Sequence, residues 1–547
     1  MNSKVNVTRV FWIAISIAAI FILWGAILPQ NVETVLGAVD GFISTYFGWF
    51  YMLSMTAFVL FAIYMIFSPL GKVKLGKPDE KPQYSYFTWF SFLFTAGMGV
   101  GLVFFGVTEP LTDFYSPPNA EPNSSAAAAE ALQYSMFHWG IHPWSVYAVV
   151  GLALAYFKFR HQAPLLMSSA LSPILGDRTK GGLGTAVDVL AVFGTIFGIA
   201  TSLGLGATQI TAGLSYSFDG IENNILTQAI VVLVITVAFI MSAATGVNKG
   251  IRYLSISNII IAIALMLFIL VTGSTLQMFE SFMSTAGNYF QNLPTMTFDM
   301  NAFTGDRGFL DDWTLFYWAW WIGWSAFVGS FIARVSRGRT IREFIIGVVS
   351  VPFVFSLIWF SILGVAGIEL DEALNGGLYD LVVAQGDEVA LFAFLENYPF
   401  APVVLGITIL LIASFFVTSA DGGTFVLAMM TTGGTINPAT RIKIIWGAIL
   451  SATALVLLFS GGLEALEMAM LIAAFPFTFV VMLLALSVVK SLASEYDILT
   501  MERKHYEHRP EYLKEAEKEI KEKREEFYEI LPDEMPEEDN SEDQTDK

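Results

Sequence analysis

Long apolar segments dominate this chain and constrain its fold more than any other feature. The hydrocarbon core of a bilayer is about 30 Å thick, so a helix needs about 20 mostly apolar residues to cross it. Of the 547 residues, 55% are hydrophobic and 14% are charged. We predict an all-α polytopic membrane protein with twelve transmembrane helices. The predicted spans are residues 9–28, 48–69, 86–107, 139–157, 187–213, 224–244, 251–272, 314–334, 343–367, 400–430, 440–459 and 464–488.

The distribution of basic residues gives this arrangement an orientation. Loops that face the cytoplasm carry an excess of Lys and Arg. If the N-terminus lies inside, Arg307 is the one basic residue in the outer loops, and the other 28 of the 29 Lys and Arg residues lie on the cytoplasmic side. We therefore predict that both termini are cytoplasmic.

The acidic balance comes largely from the C-terminal tail. The net charge is −19, and residues 491–547 supply −11 of it, with 20 Asp or Glu against 9 Lys or Arg. Within this tail, residues 510–530 have Glu and Lys at helical spacing, and the acidic end beyond them is predicted to be disordered. The chain has no cysteine, and it contains no nucleophile and base pattern or zinc-protease motif. These features argue against an enzyme, and no cofactor is expected.

Three predicted spans contain glycine-rich strings. They are TAGMGVG at 95–101, SLGLGA at 202–207 and TSADGG at 418–423. Glycine weakens a helix by about 1 kcal/mol relative to alanine, and backbone that leaves its helix cannot face lipid. We expect helix breaks that line a protein interior. Close packing of helices through small residues is the alternative, and it is equally favoured for SLGLGA.

Large aromatic side chains cluster in two predicted helices at membrane depth. Two such clusters could surround a quaternary ammonium group, which has no N–H to donate and is recognised by the negative faces of aromatic rings. Core packing is the alternative. Neither cluster contains an acidic residue, so a zwitterion would suit the site, with its carboxylate at the broken helix of GMGVG. The aromatic residues are Trp320, Trp321, Trp324 and Phe327 in segment eight and Trp139, Trp144 and Tyr147 in segment four.

Several ionisable residues lie at or near membrane depth, where charge is costly and often functional. Asp188 and Asp421 could relay protons, although helix capping or an ion pair is favoured. Glu109 is predicted at the outer surface, where it could contribute to gating. His138 and His142 are four residues apart, but a metal site at that spacing needs a third ligand, and none is evident.

Five strings in these segments resemble the betaine/carnitine/choline transporter family. The resemblance covers about residues 10 to 490 and implies a leucine-transporter-like core of two inverted five-helix repeats, 86–272 and 314–490. Two helices within residues 1–85 precede this core, residues 273–313 form an extracellular connection, and residues 491–547 form the cytoplasmic tail. The family also implies a homotrimer. The strings are TAGMGVGLVFFGVTEPL, FHWGIHPWSVY, FGTIFGIATSLGLGATQ, WTLFYWAWWIGWSAFVGSFIARVSRGRTIREF and VTSADGGTFVL.

The resemblance also implies site residues, which are carried over by position. An aromatic box for the trimethylammonium group corresponds to Trp139, Trp144, Tyr147 and Trp321, with Trp320, Trp324 and the glycines Gly97, Gly99 and Gly101 around the substrate. A sodium site corresponds to the backbone carbonyls of Thr95, Met98 and Phe415 with the hydroxyls of Thr418 and Ser419. A second sodium position corresponds to Thr195 and Phe327, although Ile199 replaces a further hydroxyl one turn after Thr195.

The family pattern further narrows the function. Glycine at position 101 resembles betaine-selective members, whereas an acidic residue there is associated with choline and proton coupling. We expect a secondary transporter in a bacterial cell membrane that imports glycine betaine by sodium symport and protects against osmotic stress. The alternatives are proton-coupled choline uptake, carriage of carnitine or another betaine, and a betaine sensor that does not transport. No nucleic-acid partner is expected.

Overall fold

The described part of the chain is all helical. The computed structural model describes residues 7–506 except 98, 246, 247, 304 and 306, together with 519–520 and 522–523. Side chains are also left aside at 94–97, 243–245, 248–252 and 497–506. The predicted helix at 510–530 and the acidic end of the tail lie almost entirely outside these residues. Within the described residues there is no β-strand, only an isolated bridge between Lys74 and Thr340.

Helices cover the predicted segments, but the helix of the second segment already begins at Pro29. The connections contain further helices, and the one after the seventh segment has 24 residues. Their bounds are α1 (Arg9–Ile27), α2 (Pro29–Phe67), α3 (Tyr86–Gly97), α4 (Val100–Tyr115), α5 (Ser125–Trp139), α6 (Ile141–His161), α7 (Met167–Ala170), α8 (Ser172–Leu175), α9 (Gly182–Ser217), α10 (Ile225–Thr245), α11 (Asn248–Thr272), α12 (Thr275–Phe298), α13 (Leu315–Val335), α14 (Ile341–Ala373), α15 (Gly377–Gln385), α16 (Ala390–Leu395), α17 (Ala401–Thr431) and α18 (Thr440–Tyr506). Shorter helical turns are Pro69–Lys72, Gly176–Lys180, Leu310–Thr314 and Asp387–Val389.

Ten helical stretches within the described residues are long and apolar enough to span a membrane. The difference from twelve predicted spans has two physical sources. The third segment is divided into α3 and α4, each shorter than a membrane span. The last two segments form one helix, α18, which bends where Gly461 and Gly462 leave helical geometry. The chain is a polytopic membrane protein, and the count of twelve spans stays a prediction.

The three glycine-rich strings behave differently. The break in TAGMGVG is confirmed, because α3 ends at Gly97, α4 begins at Val100, and Gly99 between them is extended (φ −139°, ψ −154°). The predicted break in TSADGG is wrong, because α17 runs through it as a continuous helix. Helix α9 also runs through SLGLGA, so for this string the alternative of close packing, which was equally favoured, is confirmed. Their glycines serve close packing instead. A methyl group on Gly206 would lie 3.4 Å from the Phe416 ring, and one on Gly422 would lie 3.0 Å from Phe327.

Helix α13 lies at the centre of the bundle. It packs against α6, α9, α18 and α2, and almost every residue from Leu315 to Ala333 is buried. Helices α1, α10 and α11 instead expose large apolar side chains, such as Ile20, Ile230 and Val271. This is the distribution expected when a bundle is surrounded by lipid, because the surface that faces acyl chains is as apolar as the core.

A polar cluster connects the last part of α18 with the C-terminal end of α6. Arg160 forms an ion pair with Glu495, and it also donates to the carbonyl of Gly76 at 2.7 Å. Tyr156 donates to Glu495 at 2.9 Å and contacts the hydroxyl of Ser491 at 3.1 Å. The side chains of Arg160 and Glu495 are only 14% and 12% exposed, so the pair is shielded from water.

We predict that Glu495→Ala lowers thermal stability. The substitution leaves the guanidinium of Arg160 without its carboxylate, and a lost hydrogen bond to a charged group costs about 1.5–3 kcal/mol. Thermal unfolding of the purified protein in detergent should show a lower Tm. The exposed neighbour Ser494 supplies the control, and an equal shift for Ser494→Ala would show that the ion pair is not responsible.

Candidate functional site

A stack of aromatic rings on α13 forms one wall of the candidate site. The rings of Trp320 and Trp321 lie parallel, with centroids 4.7 Å apart and planes inclined by 12°. Tyr317 stacks on Trp321 at 5.7 Å, and Trp324 meets Trp320 edge to face at 6.0 Å. All four side chains are buried. Their spacing of three or four residues along the helix produces this continuous aromatic face.

The second wall comes from the junction of α5 and α6. The chain turns at Gly140, so Trp139 ends one helix while Trp144 and Tyr147 lie on the next. Trp139 meets the Trp321 ring edge to face at 4.9 Å. Tyr147 reaches the same ring at 6.4 Å and contacts Trp144 at 5.4 Å. The structure therefore brings together the four predicted box residues. We call Trp139, Trp144, Tyr147 and Trp321 the aromatic box.

The helix break between α3 and α4 lies against these rings. A methyl group placed on Gly99 would be 3.4 Å from the Trp324 ring and 3.6 Å from the hydroxyl of Ser419. One placed on Gly101 would be 3.0 Å from Trp139 and in conflict with Trp320. The first amide groups of α4 have no partner within their own helix, and the positive end of the helix dipole lies there. The break therefore offers anion-binding donors beside the box. Gly97 ends α3.

Of the four polar hydrogens carried by Trp320, Trp321, Trp324 and Tyr147, two form hydrogen bonds within the protein and two do not. The indole N–H groups of Trp321 and Trp324 donate to the carbonyls of His138 and Gly198, at 2.8 and 2.9 Å. Trp320 Nε1 and the Tyr147 hydroxyl are buried without a partner among the described residues. Buried donors are normally paired. These two groups are therefore available to an acceptor on a ligand, such as a carboxylate oxygen.

Glu109 is a residue of the site that sequence reasoning misplaced. It was predicted at the outer surface, but its side chain has 0% exposure. Its carboxylate accepts hydrogen bonds from Trp139 Nε1 at 2.8 Å and the Tyr317 hydroxyl at 2.6 Å, and it contacts His138 Nδ1 at 2.7 Å. A signal was present in the sequence, because Gly101, position 105 and Glu109 recur every four residues and share one face of α4.

The two histidines next to the box do not converge on a metal. His138 Nε2 contacts the Thr314 hydroxyl at 3.0 Å, whereas His142 Nε2 contacts the Thr297 hydroxyl at 3.2 Å. In the part of the chain that the structure describes, no group of three potential metal ligands comes together.

The predicted sodium ligands lie on elements that meet at the break. Ser419 on α17 lies next to Gly99, as described above. The neighbouring Thr418 hydroxyl donates to the carbonyls of Ser414 and Phe415, at 3.1 and 3.0 Å. Thr95 lies in the last turn of α3, where only the backbone is described, and position 98 is outside the described residues.

The second predicted sodium position brings together fewer candidate oxygen ligands than the first. The Thr195 hydroxyl on α9 donates to the carbonyl of Ala191 at 2.8 Å. Phe327 lies on the adjoining helix α13, where it meets Trp324 edge to face at 5.7 Å. Ile199 packs its apolar side chain against Gly423. The position one turn after Thr195 therefore supplies no side-chain oxygen.

The structure assigns a role to Asp188, one of the two aspartates predicted at membrane depth. Asp188 accepts hydrogen bonds from the backbone N–H and the hydroxyl of Ser168, at 2.9 and 2.6 Å. It therefore caps the start of α7, as the capping interpretation predicts. For Asp421, the choice between ion pair and proton relay stays a prediction.

An acidic cavity of about 420 Å³ lies next to the aromatic face, on the side predicted to be external. Phe105, at its inner wall, contacts Tyr317 at 5.4 Å and Trp320 at 6.2 Å. Burial and the neighbouring Glu388 raise the pKa of Asp387, on the rim, to about 6. A cavity lined by one sign of charge raises the local concentration of oppositely charged solutes. The carboxylates are Asp40, Asp311, Asp312, Asp387, Glu464 and Glu467.

A helical membrane protein whose broken helix abuts an enclosed aromatic box has the features of a secondary transporter rather than an enzyme. The comparisons agree. The chain belongs to the betaine/carnitine/choline family of transporters, since a sequence model of that family matches residues 9–497.

Individual relatives cover most of the chain. The glycine betaine transporter OpuD of Bacillus subtilis is 48% identical over 492 residues, which are 90% of this chain and 95% of that protein. A glycine betaine transporter of Acinetobacter baylyi is 41% identical over 486 residues, 88% of this chain and 73% of its own. The osmo-dependent choline transporter BetT2 of the same organism is 38% identical over 495 residues, 89% and 71% respectively. The named choline transporter, at 38% identity, is therefore nearly as similar to this chain as one of the two named glycine betaine transporters, at 41%.

We predict that Gly101→Ala weakens ligand binding. The added methyl group would displace the Trp320 ring or the Trp139 ring, and overpacking typically costs about 1–3 kcal/mol. With glycine betaine as a probe for the quaternary ammonium osmolytes that this family transports, the affinity should fall by about tenfold, as measured by titration calorimetry on the purified protein.

Gly406→Ala is the matched control, because a methyl group on Gly406, also in a long helix, meets nothing within 4 Å. Equal affinities for Gly101→Ala and the wild type would show that the break does not lie at the binding site.

Proposed function

We propose that this protein imports glycine betaine into a bacterial cell by sodium symport, through alternating access, and that this uptake serves osmotic protection. The observation that carries the proposal is the aromatic box beside the helix break at Gly99. Four buried rings suit a trimethylammonium group, and free amides at a helix start suit a carboxylate. Glycine betaine carries both groups at its two ends. Two of the relatives described above are named glycine betaine transporters.

Betaine is favoured over choline for two reasons. The unpartnered donors Trp320 Nε1 and the Tyr147 hydroxyl match the carboxylate of a zwitterion, which choline lacks. Gly101 lies so close to Trp139 and Trp320 that the site has no room for an acidic side chain at this position. Choline uptake coupled to protons is the alternative within the family, and BetT2 is a named choline transporter.

For the coupling ion, we propose one sodium site at the junction of α3, α4 and α17. Its ligands are the hydroxyls of Thr418 and Ser419 with the backbone carbonyls of Thr95, Met98 and Phe415. The approach of Ser419 to Gly99 supports this assignment, because a broken helix leaves carbonyls free for an ion. The second position, at Thr195 and Phe327, has the apolar Ile199 where a further oxygen would help. We therefore assign coupling to the first site.

The wider arrangement is part of the same proposal. We propose that residues 86–272 and 314–490 form inverted repeats that move against each other around the box. Both termini face the cytoplasm, and three copies form the assembly in the membrane. The charge asymmetry of the loops supports the orientation.

The proposal predicts uptake of radiolabelled glycine betaine into proteoliposomes under an inward sodium gradient, but not under equal potassium or proton gradients. Trp321→Leu should reduce betaine uptake at least tenfold through loss of cation–π contacts. Thr418→Ala with Ser419→Ala should abolish the sodium dependence. Gly406→Ala should transport like the wild type.

Three other outcomes would contradict the proposal. Uptake driven by protons would exclude the sodium site, and uptake of choline but not betaine would exclude the substrate. Binding of betaine without accumulation would show a sensor instead of a transporter.

A further inference from the structure

One edge of the aromatic box rests on a buried carboxylate. Glu109 and His138 are both fully buried, and the acceptor capacity of Glu109 is used by three neighbours. Oε1 contacts His138 Nδ1, and Oε2 accepts from Trp139 and Tyr317. Of these three, Trp139 is a member of the box.

The hydrogen-bond pattern shows how Glu109 meets its neighbours. An indole N–H and a phenol O–H both donate to Oε2, and Oε1 lies within hydrogen-bond distance of His138 Nδ1. A buried carboxyl group therefore lies directly behind one ring of the aromatic box.

The indole of Trp139 connects this carboxyl group to the ligand side of the box. Its Nε1 donates to Glu109, while Cη2, at the opposite end of the ring, lies 3.0 Å from the methyl position of Gly101. Hydrogen bonds polarise their donors in a medium of low dielectric constant. A carboxylate on the N–H pushes electron density into the indole, and the ring face becomes more negative. The attraction between a ring face and a cation is electrostatic, so it grows accordingly.

We infer that Glu109 is held as a carboxylate and is a positioning residue that acts through Trp139, so that the box discriminates a cationic headgroup from a neutral group of the same shape. This inference rests on the proposed transport of a quaternary ammonium compound. In this arrangement Glu109 supplies a counter-charge to the aromatic box without touching the ligand. A carboxylate in direct contact with a zwitterion would repel the ligand's own carboxylate.

The same helix supplies a matched control. Asp113 lies one turn beyond Glu109 on α4, is equally buried, and has no hydrogen-bond partner for either oxygen among the described residues. Asp113→Asn removes an acidic group from the same helix without touching the aromatic box.

The test compares two ligands in each variant. One is glycine betaine, and the other is tert-butylacetate, in which carbon replaces the quaternary nitrogen and the shape is kept. Affinities are measured by competition against radiolabelled betaine binding to the purified full-length protein. Glu109→Gln should lower the betaine preference over tert-butylacetate about tenfold, mainly through weaker betaine binding. Asp113→Asn should keep the wild-type preference.

A purely structural role predicts a different result. If Glu109→Gln weakens both ligands equally, the carboxylate only holds the rings in place, and the inference is overturned. If Glu109→Gln does not fold, Trp139→Phe gives the second measurement, because it keeps an aromatic ring and the charge of Glu109 but removes the N–H between them. The preference for the cation should then fall as well, and an unchanged preference would overturn the inference.

Failure of the proposed substrate gives a distinguishable result. If the wild type binds choline and not betaine, the same comparison is made with labelled choline and 3,3-dimethyl-1-butanol, in which carbon replaces the nitrogen of choline. It tests Glu109 independently of the betaine assignment. If the wild type binds no quaternary ammonium compound, both the proposed function and this inference are wrong.

Discussion

The rest of the structure depends on how the polar backbone is satisfied at the helix break between α3 and α4. In a bilayer, free N–H and C=O groups cannot be left facing lipid. The break must therefore be enclosed by protein, and it is enclosed by Trp320 and Trp324 of α13, by Trp139, and by Ser419 of α17. The constraint that forces the break inside the bundle also places its unpaired groups next to the aromatic rings.

The region enclosed around the break provides one surface that attracts a cation and another that attracts an anion. The aromatic faces favour a cation, and the start of α4 favours an anion. A fully charged counter-ion in contact with either end of a zwitterion would disturb the other end. The Glu109 carboxylate lies behind the indole of Trp139, so its influence reaches the cation through a polarised ring. The negative charge of Glu109 thus acts on the cationic end of the ligand without touching it.

The long apolar segments and the aromatic spacing could be read from the sequence, because both depend on local helical periodicity. The rings that meet from α6 and α13 needed the family resemblance, since periodicity on one helix cannot reveal its partner. Glu109 lies just beyond the predicted span 86–107, so its position along the chain placed it at the outer surface. Its burial depends on contacts with Trp139 and Tyr317 on other helices. The sequence could not show that α9 and α17 are continuous, because a glycine that admits Phe416 or Phe327 looks the same in sequence as one that ends a helix. Such packing is a tertiary property.

The edge-to-face contact of Trp139 and Trp321, with centroids 4.9 Å apart, leaves no space for a trimethylammonium group between those two rings. In this conformation the Trp139 and Trp321 rings are in direct contact and fill the space between them. Aromatic pairs of this kind contribute about 0.5–1.5 kcal/mol beyond their buried area. A ligand must replace this contact, and a small hydrated ion cannot, because it would lose its water and gain little dispersion energy. The energy needed to separate Trp139 from Trp321 is therefore part of the free-energy cost of binding.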